Sequence, residues 1–112
     1  YAAGKLPEKV MAAASIHGVK LITEKQDSPH LFSKNVKGEL YFGCAETDSY
    51  APLEMIDALE KHLSTTSVDY KIEVFPETHH GFAFPNRGQL YSRVHAETHW
   101  FRILDLFSRK LK

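Results

Sequence analysis

Cysteine is almost absent: Cys44 is the only one in 112 residues, so no internal disulfide framework can staple the chain. That usage fits a reducing compartment. An excess of either charge is missing too, because 14 Lys and Arg balance 14 Asp and Glu and no basic block stands out. A partner gripped through its phosphates is thereby excluded, and no nucleic acid is expected. No apolar run is long enough to span a bilayer and no leader-like pattern opens the sequence. No membrane partner and a cytoplasmic location are therefore the expectation. Glycine-rich loops for phosphates or dinucleotides are lacking, as is a carboxylate loop dense enough for calcium. No cofactor and no metal are expected.

What is present is ordinary for a soluble globular protein, with 43% hydrophobic and 25% charged residues. The length suits one small domain with a modest core. Residues Tyr1 to Pro7 read as the tail of a helix, with Gly4 able to end it and Pro7 blocking its continuation. A domain rarely begins on the last turn of a helix, so a piece of a longer protein is the expectation.

Val10 to His17 is almost wholly apolar and fits a buried parallel strand ending before Gly18. Residues 19–37 are polar, contain Ser28-Pro29, and read as a long excursion with a short helix. A second strand covers 39–44. Pro52 opens a helix with the apolar stripe Met55, Ile56, Leu59 and Leu63, and Ser64 to Ser67 ends it. Tyr70, Ile72 and Val74 alternate with Lys71 and Glu73, as in a strand near a sheet edge. A loop follows from Pro76 to Arg87. The last helix, over 89–110, places Val94, Phe101, Leu104, Phe107 and Leu111 on one face, widened by Trp100 and Leu106. The order strand, loop, strand, helix, strand, helix matches a parallel sheet with crossover connections. At least one edge of so small a sheet calls for another strand or chain.

Two side chains carry the chemistry. Asp48 follows the second strand on a strand-to-helix loop, and His80 follows the third. Parallel strands open both loops at the carboxyl edge of the sheet, where such sheets place their sites. A hydrolytic triad needs a nucleophile, a histidine to take its proton and a carboxylate to orient that histidine. No convincing nucleophile precedes Asp48. Cys44 sits at the end of the strand and reads as a small buried residue. His79 points away from its neighbour if the chain stays extended. Glu46 lies near Asp48 without matching its loop position. His95 and His99 sit one helical turn apart, yet without a supporting motif they read as two surface histidines rather than metal ligands. His17 either lines the same pocket or caps local backbone.

The segments Leu6-Pro7-Glu8-Lys9-Val10, Ser15-Ile16-His17-Gly18 and Asp27-Ser28-Pro29, the spacing of Asp48, Ala51 and Pro52, and His80-Gly81-Phe82 with Pro85 and Arg87 form an ordered series. Together they resemble the dienelactone hydrolase family of the α/β-hydrolase fold. The resemblance runs along essentially all 112 residues but is to the C-terminal half of a usual family domain. It implies a three-layer α/β/α parallel sheet, the C-terminal portion of an α/β-hydrolase fold. Residues 1–112 would form that portion, with the nucleophile-bearing N-terminal half absent. Asp48 would be the triad acid and His80 the general base, with His17, Tyr50 and Phe82 as candidates for the substrate pocket. The nucleophile, a cysteine or serine, would lie upstream of Tyr1. The implied function is hydrolysis of a small-molecule ester or lactone, with the isolated chain inactive. The implied protein partner is the missing N-terminal half, or a second copy through the exposed sheet edge. Two other readings stay open: a noncatalytic α/β interaction module, and a peptidase or thioesterase of the same fold.

Overall fold

Three short apolar runs pair side by side as β1 (Ala12–Ile16), β2 (Glu39–Thr47) and β3 (Asp69–His79) in the computed structural model of the chain, which describes residues 1–111. All pairings are parallel and the order is β1-β2-β3. β2 is central, and its residues Leu40, Tyr41, Cys44 and Ala45 are buried on alternating sides. Parallel neighbours need crossovers. Residues 17–38 make the first, including a 3-10 turn over Pro29–Asn35, and α2 (Leu53–Ser64) makes the second.

The pleat sends Leu40 and Phe42 to one face, where Val10, Ala13, Val36, Val68 and Tyr70 join them. The buried stripe of α2, Ile56, Leu59 and Leu63, covers that face. Tyr41 points to the other face, against Ile103 and Leu106 of α3 (Arg93–Lys110) and against Ala12, Ala14 and Ile16 of β1. Among the described residues, β1 has a partner on one side only, and all five of its residues are half-buried.

Three expectations change here. The expected C-terminal portion of a three-layer fold is seen as a three-stranded parallel sheet with its own flanking helices and core clusters. Gly4 misled the sequence reading. It does not end a helix but sits inside α1 (Ala2–Lys5), and a Cβ there would meet the Phe32 carbonyl oxygen at 2.3 Å. That glycine lets α1 lie against the 3-10 turn.

The third change concerns α3. Its buried line is Ala96, His99, Ile103 and Leu106, whereas Val94, Phe101, Leu104 and Leu111 are 62–71% exposed. Both lines have helical spacing, so periodicity alone cannot choose between them. Fit against the sheet decides. Gly43 leaves a hollow that the fully buried His99 ring fills, and a Cβ at Gly43 would stand 2.2 Å from that ring.

Gly43→Ala is therefore expected to cost about 1–3 kcal/mol through overpacking. Ile103→Ala is expected to cost about 2–5 kcal/mol. Phe101→Ala, on the exposed line, should stay within about 0.5 kcal/mol. Urea unfolding of the three variants checks the facing of α3, and a large loss for Phe101→Ala would reject it.

Candidate active site

The site begins with an irregularity in strand pairing. Glu39 pairs with Asp69 and Ala45 with Phe75, but Thr47 pairs with His79. β3 thus carries two extra residues between the last two pairs. Pro76 marks the place, since it cannot donate to a ladder. Glu77 follows with a left-handed backbone, φ 55°, and its N–H donates to Glu46 Oε2 at 2.6 Å. Thr78, buried, donates its hydroxyl to the Phe75 carbonyl at 2.7 Å. The shift advances β3 so that the residue after His79 faces the residue after Thr47.

Those residues are His80 and Asp48. His80 Nδ1 donates to Asp48 Oδ2 at 2.7 Å, with the carboxylate side chain 2% exposed and the imidazole 27% exposed. The other carboxylate oxygen, Oδ1, accepts from the backbone N–H groups of Tyr50 at 2.8 Å and Ala51 at 3.3 Å. Asp48 is fixed by the turn that leads into α2. Because a carboxylate only accepts, Nδ1 carries a proton, and in the neutral ring Nε2 keeps the free lone pair. Gly81 follows with φ 95°, and a Cβ there would approach Arg87 Nε to 2.8 Å. Glycine at this position lets the backbone turn tightly under the Arg87 side chain.

The other sequence candidates separate. The rings of His17 and Tyr50 flank His80, with centroids 5.2 Å and 4.9 Å away, and Tyr50 is largely exposed. Phe82 is fully buried with Ala45, Phe75, Ala83 and Ala96, so it supports His17 from the core rather than forming an open wall. His79 is exposed at the end of β3. Cys44 is buried, and burial pushes its thiol up to about 11, which leaves it without thiolate at neutral pH. His99 is not at the surface; burial lowers its pKa, and neither ring nitrogen has a protein partner. Among the described residues no cluster of three or more His, Cys, Asp or Glu is arranged to hold a metal. None of their helices is long and apolar enough to cross a membrane.

A cavity of about 290 Å³ lies elsewhere, between the sheet and the α1 and α2 side, lined by residues such as Ala13, Phe32, Leu40, Phe42 and Leu59. It contains neither Asp48 nor His80. A large pocket is a default site hypothesis, but this one holds no acid–base pair, whereas the strand-end edge does. Sequence reasoning missed Glu46 and Thr78 as the residues that shape this edge. Pro76, interrupting a period-2 run, was the available signal.

A carboxylate at one strand end paired with an imidazole at the next, on the carboxyl edge of a parallel sheet, is an arrangement that α/β-hydrolases share. The chain belongs to the dienelactone hydrolase family, whose model matches residues 1–111. Protein usf of Aquifex pyrophilus is 25% identical over 99% of this chain and 46% of its own length. A candidate carboxymethylenebutenolidase of Synechocystis is 27% identical over 100% of this chain and 46% of its own length. Among solved structures, a candidate dienelactone hydrolase of Klebsiella pneumoniae superposes with a TM-score of 0.83 at 21% identity. That match covers 95% of this chain and 45% of the other. The Pyrococcus horikoshii acylaminoacyl peptidase gives 0.73 at 20% identity, covering 100% of this chain and 22% of the other. At such identities the likeness is one of fold.

The family match corrects the half-domain reading of the resemblance and of the fold class, because the domain model runs across residues 1–111 rather than a C-terminal part. The missing N-terminal half expected as a partner loses its support with it. The chain spans about half the length of the curated relatives it matches.

Burial, followed by the nearby His80 and His99, lowers the pKa of His17 from 6.5 to about 4. An unfolded His17 takes up a proton as pH falls below about 6.5, while the folded one refuses it until about 4. Its contribution to stability is full above 6.5 and is lost as pH falls through that window. The buried His99 acts in the same direction. Urea midpoints measured between neutral pH and pH about 4 are expected to fall, and to fall less in His17→Asn. An equal decline in both proteins would reject the His17 contribution.

Proposed function

We propose that this chain supplies the acid and base of a Cys-His-Asp or Ser-His-Asp triad that hydrolyses a small ester or lactone. The 2.7 Å contact between His80 Nδ1 and the buried Asp48 carboxylate carries the reading, because it leaves Nε2 as a proton acceptor at an accessible edge. Family membership and the carboxymethylenebutenolidase naming of the Synechocystis relative support the substrate class. In this reading the attacking atom comes from outside the described residues, among which no thiol or hydroxyl is hydrogen-bonded to His80.

In this mechanism the nucleophile gives its proton to His80 Nε2 and attacks the carbonyl carbon. Asp48 holds the ring and stabilises the imidazolium that forms. The imidazolium returns its proton to the leaving alkoxide as the acyl bond to oxygen breaks; in a lactone that alkoxide stays tethered. Water then attacks the acyl group, again giving a proton to Nε2, and the carboxylic acid departs as the nucleophile is reprotonated. Neutral His17 keeps a second positive charge away from His80. The unpaired edge of β1 provides a surface for pairing with another chain, a second copy included.

The test uses the protein in which these residues occur together with a nucleophile, assayed with a small activated ester. His80→Ala is expected to lower turnover about 10²–10⁴-fold. His79→Ala and Cys44→Ala should leave most of it. The 112-residue chain alone should show no triad-type turnover. Full activity in folded His80→Ala would reject the base, and strong activity of the chain alone that vanishes in Cys44→Ala would reject the placement of the nucleophile. Light scattering of the chain is expected to show concentration-dependent association through β1; a strict monomer at high concentration would argue against it.

A further inference from the structure

The segment carrying His80 is held by its alternate amides. Phe82 N–H donates to the His79 carbonyl at 3.1 Å and Phe84 N–H to the Gly81 carbonyl at 3.1 Å, within the turn. The amides of Gly81 and Ala83, which alternate with these, face His17 instead. Gly81 N–H approaches His17 Nδ1 at 3.3 Å, and Ala83 N–H approaches His17 Nε2 at 3.4 Å. Gly81 and Ala83 are both buried, so their amides need a partner. The ring that meets them comes from the far end of β1, 64 and 66 residues earlier in the chain.

We propose that His17 is a positioning residue: its neutral ring is the acceptor that fixes the Gly81–Ala83 segment, and through it the orientation of His80 toward Asp48. This rests on the hydrolytic reading only for its consequence, because the clamp itself is a feature of the folded chain. A neutral imidazole has one acceptor lone pair, so one amide is accepted while the other faces the ring N–H. Protonation would remove the acceptor and present N–H groups to both amides. The surroundings oppose protonation. His80, His99 and Arg87 add to desolvation in disfavouring it, and Asp48 alone favours it. The ring is also fixed by packing, edge-on to Phe82 at 4.9 Å and tilted against Phe84 at 5.4 Å. His17 itself is left-handed, with φ 52°, a conformation costly for a histidine and kept here where the side chain must reach across to another loop.

The experiment is residue-resolved amide hydrogen exchange on the 112-residue chain at neutral pH. His17→Phe keeps a ring against its neighbours and offers no acceptor. His17→Asn offers a carbonyl oxygen and tolerates left-handed backbone. In His17→Phe at least one of the Gly81 and Ala83 amides is expected to exchange about 5–10-fold faster, the worth of one hydrogen bond, with Leu59 and Ile103 unchanged. The proton between His80 Nδ1 and Asp48 should broaden in the nuclear magnetic resonance spectrum. His17→Asn should recover part of both signals. Unchanged exchange at Gly81 and Ala83 in His17→Phe would overturn the clamp. So would equal acceleration at Leu59 and Ile103 in both variants, which would mark a merely structural role. The readout needs no turnover. In the protein that also carries the nucleophile, an intact clamp without ester turnover therefore rejects the hydrolase reading alone, and ester turnover whose kcat is unchanged in His17→Phe rejects the positioning role alone.

Discussion

The two-residue slip between β2 and β3 is the constraint on which the site depends. With the pairing of Glu39 to Asp69 carried straight on, Asp48 would face Thr78, and His80 would project past it. The slip keeps the parity of the strand, so side chains remain on their faces while the register advances. Its stabilisation is local and polar. Pro76 removes a donor from the ladder, Glu46 accepts from the left-handed Glu77, and the Thr78 hydroxyl satisfies the Phe75 carbonyl. A strained residue held by a neighbouring carboxylate is tolerable when the surrounding contacts determine it. Here the gain is an aspartate and a histidine brought into register.

Electrostatics then narrows what the edge can do. Asp48 is nearly buried and each of its oxygens is engaged, Oδ1 by two backbone N–H groups and Oδ2 by His80. It is a fixed acceptor with no free direction. His17 and His99 are pushed toward the neutral form by burial. Three histidines thus lie close together, yet the partly exposed His80 is the one paired with a carboxylate.

The approach of Asp48 and His80 was legible because each follows a strand of the same parallel sheet. Order of elements and the Asp48, Ala51, Pro52 spacing were enough to bring them to one edge. The slip was not legible as a device, since Glu46 and Thr78 look like ordinary strand-end residues until the pairing is known. Nor was the facing of α3. Val94, Phe101, Leu104 and Leu111 form the more hydrophobic stripe, but the sheet selects Ala96, His99, Ile103 and Leu106 because small residues on β1 and Gly43 on β2 shape the surface they meet. Gly4 was misread for the same reason: a close approach to Phe32, invisible in one dimension, explains it better than a helix stop. Sequence periodicity reports which faces are apolar, whereas shape against a distant element decides which is buried.

In the hydrolase proposed above, the same geometry limits where an attacking atom can stand. Asp48 occupies the Nδ1 side of His80, and the rings of His17 and Tyr50 lie 5.2 Å and 4.9 Å from the imidazole. Cys44 cannot reach into this arrangement, because it is buried within β2 and its thiol is held in the protonated form. What remains is the Nε2 side of a ring that is 27% exposed. A nucleophile arriving there would meet a ring whose tautomer and orientation are already set, so little reorganisation would accompany proton transfer. That preorganisation is what an acid–base pair contributes before any substrate binds. It depends on strand register and on the backbone of the histidine loop, neither of which requires the attacking group to belong to these residues.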